Sequence, residues 1–251
     1  MNKIVTTIVL FALLLGTDKA EAGSWTEDLE WKARVGYSIG GTAPLGMPAT
    51  IRSIDSYSLT PSVMAGVDVR MPLSNRWGVT AGLRIENKAM KVEATTKGYR
   101  MEVVKGDSRL EGLFTGHISQ EVTQWMLTLP IQASLQLGEK VALKAGPYFS
   151  LLVDKDFSGI ASDGYLRQNN PVGPKINIGN KEGEWATYDF SDDMRSLQMG
   201  LAIGADWQLH EHIGLMADLS WGLTGIFNND FKTVEQTLYP IYGIIGVYYK
   251  F

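Results

Sequence analysis

The sequence predicts an all-β fold: an eight-stranded, all-antiparallel transmembrane β-barrel of the outer-membrane type, with short turns at one end and long loops at the other. Three observations predict it. Side chains alternate with period two through eight segments, the mark of a strand with two unlike faces. The joins between those segments are alternately short and long. One face of each segment is unbroken hydrocarbon over about ten residues, the length of a membrane-crossing strand. The opposite face is dominated by Gly, Ser, Thr, Gln and isolated charges.

The first strand runs from Trp31 to Ile39 with its odd-numbered residues apolar. Val63 to Met71 and Trp77 to Ile85 follow the same rule and are joined tightly at Pro72–Arg76. Trp125 to Leu137 and Val141 to Leu151 meet at the short join Leu137–Lys140. Leu197 to Leu209 and Ile213 to Leu223 meet at Leu209–His212, and Tyr239 to Phe251 is the eighth strand. The remaining joins, near 41–59, 89–116, 154–193 and 228–237, are expected to be four large loops. The polar face of a soluble sandwich would be wet and lysine-rich; small residues belong instead in the inside of a narrow barrel.

Residues 1–22 read as a signal peptide: Lys3, an apolar run from Ile4 to about Gly16, then Ala20, Glu21 and Ala22 as a small-residue cleavage site. Residues 23–251 are then a single barrel domain. With no cysteine, disulfide scaffolds, thiol catalysis and Cys-ligated zinc are excluded. A net charge of −4 argues against a nucleic-acid partner.

Aromatic side chains sort into two belts on the apolar face. Trp31, Trp77, Trp207 and Phe251 fall at the short-turn end; Trp125, Trp221, Tyr239 and Phe149 fall toward the long loops. Two girdles are what the two interfaces of a bilayer select. The last strand closes on Phe251, and a terminal aromatic there resembles the signal read by barrel assembly machinery.

The stretch holding Gly40, Gly41, Thr42, Pro44, Leu45, Pro48, Ile51 and Arg52 resembles the start of the small outer-membrane barrels of Bacteroidota, the PorT-like or "porin family" barrels. "QWMLTLPIQASLQL" is similar to that family's strand with an aromatic before a Leu-Pro or Ile-Pro step. The resemblance implies architecture and an accessory envelope role. The porin label does not by itself imply a pore.

Projected into the lumen are Lys32, Arg34, Arg70, Arg84 and Lys144, with Asp68, Glu86, Asp206 and Asp218. Eight strands leave an interior just filled by side chains, so these charges are expected to pair and plug it. Asp68, Arg70, Arg84 and Glu86 lie on adjacent strands joined by a tight turn, which predicts cross-strand pairs among them.

Candidate chemistry outside the lumen is sparse. His117, Ser119 and Glu121 share one strand face and are similar to the His-x-Ser arrangement of lipid A deacylases, in which serine attacks and histidine is the base. His210 and His212 flank Glu211 in a short turn without a third and fourth ligand, so no metal is expected there, nor any cofactor. The long loop 154–193 carries Trp185 and Tyr188, expected to be exposed and open to a partner. The sequence reading is a monomeric, non-enzymatic barrel in outer-membrane lipid, both termini periplasmic, serving surface interaction or an envelope assembly. A narrow small-solute porin is the alternative, and a lipid A-modifying enzyme the second.

Overall fold

A computed structural model describes residues 29–251 apart from 45, 61, 107, 169, 232, 235 and 236. The expected leader, 1–22, lies outside the described residues. The strands are β1 (Glu30–Pro44), β2 (Ile51–Leu59), β3 (Ser62–Pro72), β4 (Trp77–Lys105), β5 (Ser108–Leu137), β6 (Val141–Gln168), β7 (Lys175–Ile178), β8 (Ala186–Asp189), β9 (Leu197–Gln208), β10 (Ile213–Gly222) and β11 (Leu238–Lys250). Eight of them close a ring in the order β1, β3, β4, β5, β6, β9, β10, β11, with every pairing antiparallel. Closure pairs Lys32 with Lys250 and Ser38 with Ile244, so that neither end strand is left with a free edge there.

The period-two pattern sets the two faces. Val35, Leu83, Ile131, Leu143, Ile203, Leu219 and Ile245 are all exposed, while the residues between them turn inward and are buried. A girdle of exposed aliphatic side chains around a polar interior is the inverse of a water-soluble protein, and lipid is the surround that satisfies it. Ile245, 59% exposed and paired with Ala217 and Tyr37, tests this. Ile245→Arg should cost about 2 to 4 kcal/mol in urea unfolding from lipid vesicles, the depth-dependent cost of a cation facing lipid; an unchanged midpoint would contradict a lipid-facing site.

The short-turn end is tight. The β3–β4 turn is held by Leu73 N–H donating to Trp77 O at 2.9 Å and by Trp77 N–H donating to Ser74 Oγ at 3.1 Å. The β5–β6 turn uses Gly138 at φ 68°, a left-handed position that favours glycine.

The opposite end departs from expectation. Three of the segments expected as large loops are mostly strand: β4, β5 and β6 run to 29, 30 and 28 residues, far beyond a bilayer's need. β2 pairs with the upper part of β4, and β7 and β8 pair with the upper part of β6. The β8 strand also meets the tip of β4, Thr187 opposite Val104, so the projecting sheet curls closed on itself. Period two broke in the sequence because bulges flip the facing side. Gly98, at φ 67°, sits in the register shift between Lys97 and Tyr99, so Met90, Ala94 and Thr96 face inward below it and Tyr99, Met101 and Val103 above it.

Inside the curl is a hydrophobic core. Met90, Val122 and Phe157 continue up from the lumen walls, and Tyr188 of β8, Leu238 at the start of β11, and Phe190, Met194, Ile226 and Phe227 of the segments that join β8 to β9 and β10 to β11 close over them. Phe157 packs edge-on against Phe227, ring centroids 4.8 Å apart. Tyr188, expected to be exposed for contact, belongs to this core: β8 alternates, with Ala186 and Tyr188 inward and Thr187 and Asp189 outward, and Phe190 just beyond it is buried too. Its ring stacks on Phe190 at 5.4 Å, and burial pushes its phenol pKa up. Trp185 is half-buried, short of the exposure expected of it.

Candidate functional site

The lumen holds three tiers. In the lowest, near the short turns, Arg34 (β1), Asp68 (β3), Arg84 (β4), Lys144 (β6), Asp206 (β9) and Asp218 (β10) meet in the barrel centre, all of them buried. Asp206 accepts from Lys32 at 2.9 Å and from Arg34, and its other oxygen lies 2.9 Å from the Lys144 ammonium. Asp68 lies 2.7 Å from Arg34 and accepts from Arg84 at 2.8 Å, and Asp218 accepts from Arg84 at 3.0 Å and lies 3.3 Å from Lys144. Each aspartate therefore bridges cations from different strands, and the network staples six walls of the ring together. Such pairing makes charge tolerable in a low-dielectric interior.

Two glycines make the room. A methyl group at Gly82 would overlap the Asp68 carboxylate, and one at Gly204 would overlap that of Asp218. Gly204→Ala should therefore displace Asp218 from Arg84 and Lys144. An overpacking cost of about 1 to 3 kcal/mol in urea unfolding is expected, with Ala202→Gly, one turn of the pleat away, as a control that leaves the carboxylate in place.

Of the cross-strand pairs expected among Asp68, Arg70, Arg84 and Glu86, Arg84 with Asp68 is present. Register explains why the others differ. Asp68 stands opposite Gly82 and Arg70 opposite Thr80, so Arg84 reaches Asp68 on the diagonal. Arg70 is left facing β1 and β5, where it lies 3.5 Å from Glu30 and donates to Ser134 Oγ at 3.1 Å. Glu86 pairs along its own strand with Lys88 at 3.0 Å.

The middle tier was not legible from the sequence. Lys88, fully buried, lies 5.4 Å from the ring centroids of both Tyr148 and Tyr242, a cation–π pair of contacts beside its bond to Glu86. Gln198 donates to Gln124 Oε1 at 2.9 Å, and the Thr128 and Ser150 hydroxyls share a bond of 2.8 Å. The even-numbered parity continuing past Glu86 to Lys88 was the signal for it. The upper tier is the hydrophobic cap described above. Charge, polar network and cap thus fill the bore in sequence from the short turns to the long extensions. Where a cavity from the short-turn side reaches the charged tier, it narrows to about 10 Å³, room for about one water.

The aromatic residues lie at strand ends. Trp31 and Trp77 begin β1 and β4, Trp207 lies at the end of β9 and Phe251 follows β11, all exposed at the short-turn end. Trp221, near the end of β10, and Phe149 in β6 are exposed, while Trp125 and Tyr239 are half-buried.

His117 and Ser119 are both on β5, above the membrane-length part of the strand, and among the described residues no hydrogen bond joins them. His117 Nδ1 lies 3.2 Å from Asp55 of β2, a carboxylate that also accepts from Ser53 at 2.6 Å and Thr95 at 2.7 Å. Those two hydroxyls, and then the neighbouring imidazole, hold Asp55 below the usual carboxylate range. This cluster fastens β2 to the outer face of the projecting sheet. Glu121 pairs with Lys91 at 2.7 Å on the same face, exposed. His212 Nδ1 lies 2.8 Å from the Lys250 carbonyl in the turn before β10, and among the described residues no group of metal-ligating side chains is present.

The family model for the outer membrane protein beta-barrel domain matches residues 19–228. The chain belongs to that family. It is a bacterial outer-membrane β-barrel protein. No curated protein sequence matches it. Among solved structures this outer-membrane barrel is similar in fold to Ail, the attachment invasion locus protein of Yersinia pestis, with 12% identity and a TM-score of 0.39 over 89% of this chain and 99% of that one. Neisserial surface protein A gives 10% identity and a TM-score of 0.36 over 89% and 97%. OprG from Pseudomonas aeruginosa gives 13% and 0.32 over 88% and 95%.

Proposed function

We propose that this barrel is a closed, non-enzymatic anchor that presents a folded β-extension outside the membrane for contact with another component of the cell envelope. In this reading both termini are periplasmic, the two sets of aromatic residues mark the bilayer interfaces, and the projecting parts of β4, β5 and β6 stand on the external side. The observation that carries it is the extension's own hydrophobic core. Strands of 28 to 30 residues that curl round buried aromatics form a stiff platform rather than loose loops, and rigid scaffolds are where contact surfaces are built. The outer face offers the exposed strand β2, with Ile54 and Tyr57 at its surface, and the half-buried Trp185 on the other side. The resemblance of the Gly40–Arg52 stretch to PorT-like barrels supports an accessory role. Gly41 there lets the Tyr57 hydroxyl come close, docking β2 against β1.

Cross-linking on intact cells, then mild detergent extraction and mass spectrometry, tests this: a stoichiometric partner cross-linked through β2 or the 154–193 segment is expected. A lone barrel, never cross-linked, counts against it. The charged tier and the cap speak against the porin reading, and planar bilayers should show no steady single-channel conductance. Among the described residues no hydrogen bond joins Ser119 to His117, which favours the non-enzymatic reading over lipid A chemistry, and lipid A mass spectra should be the same for the native chain and Ser119→Ala.

A further inference from the structure

At the short-turn end the lumen opens into a cavity of about 650 Å³, a volume typical of small-molecule sites. Its walls carry buried Lys32, Arg70, Asp206 and Tyr248, with Glu30 and Lys250 at the mouth. It is blind, because the charged tier and the cap lie behind it.

The charges around it do not balance. Among the described residues that line it, Lys32, Arg70, Lys140 and Lys250 face Glu30, Glu139 and Asp206, four cations against three anions. Lys88 and Glu86, higher in the bore, neutralise one another. Asp206 is also shared with Arg34 and Lys144 of the deeper tier, so little of its charge is left for the cavity. There Glu30 is shared at 3.5 Å from both Arg70 and Lys250, longer than a charge-assisted hydrogen bond of about 2.7 to 2.9 Å. Arg70 spends Nε on Ser134, leaving the two terminal nitrogens of its planar fork with that one distant carboxylate. Glu30, about one-third exposed, is free to swing out to solvent. Lys32 stands over the Tyr248 ring at 4.6 Å, its ammonium donating to Asp206 at 2.9 Å. A pocket with low-dielectric walls and one sign in excess concentrates ions of the other sign.

We propose that this vestibule is a binding site for a small anion bearing a carboxylate or phosphate group. The Arg70 guanidinium takes the anion in a two-pronged grip, Lys32 and Lys250 flank it, and Glu30 gives way. The site opens on the short-turn side alone and stands independently of any partner of the extension.

The test is isothermal titration of the full chain, refolded in zwitterionic detergent, with sodium succinate and separately with inorganic phosphate, ionic strength held constant with chloride. Saturable binding of at least one anion is expected, and the two titrations separate carboxylate from phosphate as the preferred group. Arg70→Gln should weaken it at least tenfold. Glu30→Gln, which removes the competing carboxylate at a partly exposed position, should tighten it severalfold. Absence of saturable heat with both anions would overturn the proposal, as would unchanged affinity in Glu30→Gln or in a folded Arg70→Gln.

Discussion

Asp206→Asn is expected to cost the folded barrel about 3 to 5 kcal/mol, the range for breaking a buried ion pair by removing one partner. The reason lies in what stays behind. Lys32 and Arg34 donate to this carboxylate and Lys144 lies 2.9 Å from it, so its loss leaves Lys32 without its buried anion and Arg34 and Lys144 with Asp68 and Asp218 alone. Equilibrium urea unfolding of the refolded protein measures the cost. Lys144→Met in the same chain should recover part of it, because it removes a cation whose bond to Asp206 is gone, and residues of one network do not add independently. A single-variant cost below about 1 kcal/mol would mean the tier is wet and its charges solvated, since exposed pairs are worth about that or less.

Phe157→Ala should cost a similar amount, about 3 to 5 kcal/mol, by opening a cavity among aromatic rings. Its effect should be confined to the extension. Phe157 is fully buried, and its ring meets Phe190 at 6.1 Å and Phe227 at 4.8 Å, which joins the β6 wall to segments before β9 and before β11. None of the lower charged tier touches it. The expected result is new protease cleavage within 86–124 and 154–193, while the barrel keeps the heat-dependent shift in electrophoretic mobility of a folded membrane barrel. Loss of that shift would mean that cap and barrel form one cooperative unit; resistance to protease would mean that the aromatic core is not what holds the extension together.

The eight ring strands were legible because alternation is a local property. Lys32, Arg34, Asp68, Arg84, Lys144, Asp206 and Asp218 could each be placed inside from the parity of its own strand. Parity also explains the failures. Above the ring, bulges reset which side faces inward: at Gly98 in β4, opposite Trp125 and Met126 in β6, and again near Asp163, a residue at φ 47°. Each shift by one residue exchanges the two faces, so the extension read as loop, and Tyr188 read as a contact residue when it is part of a core. Lys88 and Glu30 were missed as lumen residues because each lies at the edge of a strand whose length was set too short.

What the sequence by itself determined is the class of the protein: alternating strands, an apolar outward face, a charged inward one, and hence a barrel in a membrane. Those follow from a two-residue period that each strand carries alone. Only the tertiary structure decided which charges meet. Asp206 finds Lys32 across 174 residues of chain because closing the ring sets strand against strand with a fixed stagger. It likewise decided that the extensions curl shut over a core of their own and that, among the described residues, cations outnumber anions at the short-turn mouth. Pairing across a closed ring depends on register summed around the whole circumference, a quantity no single strand records.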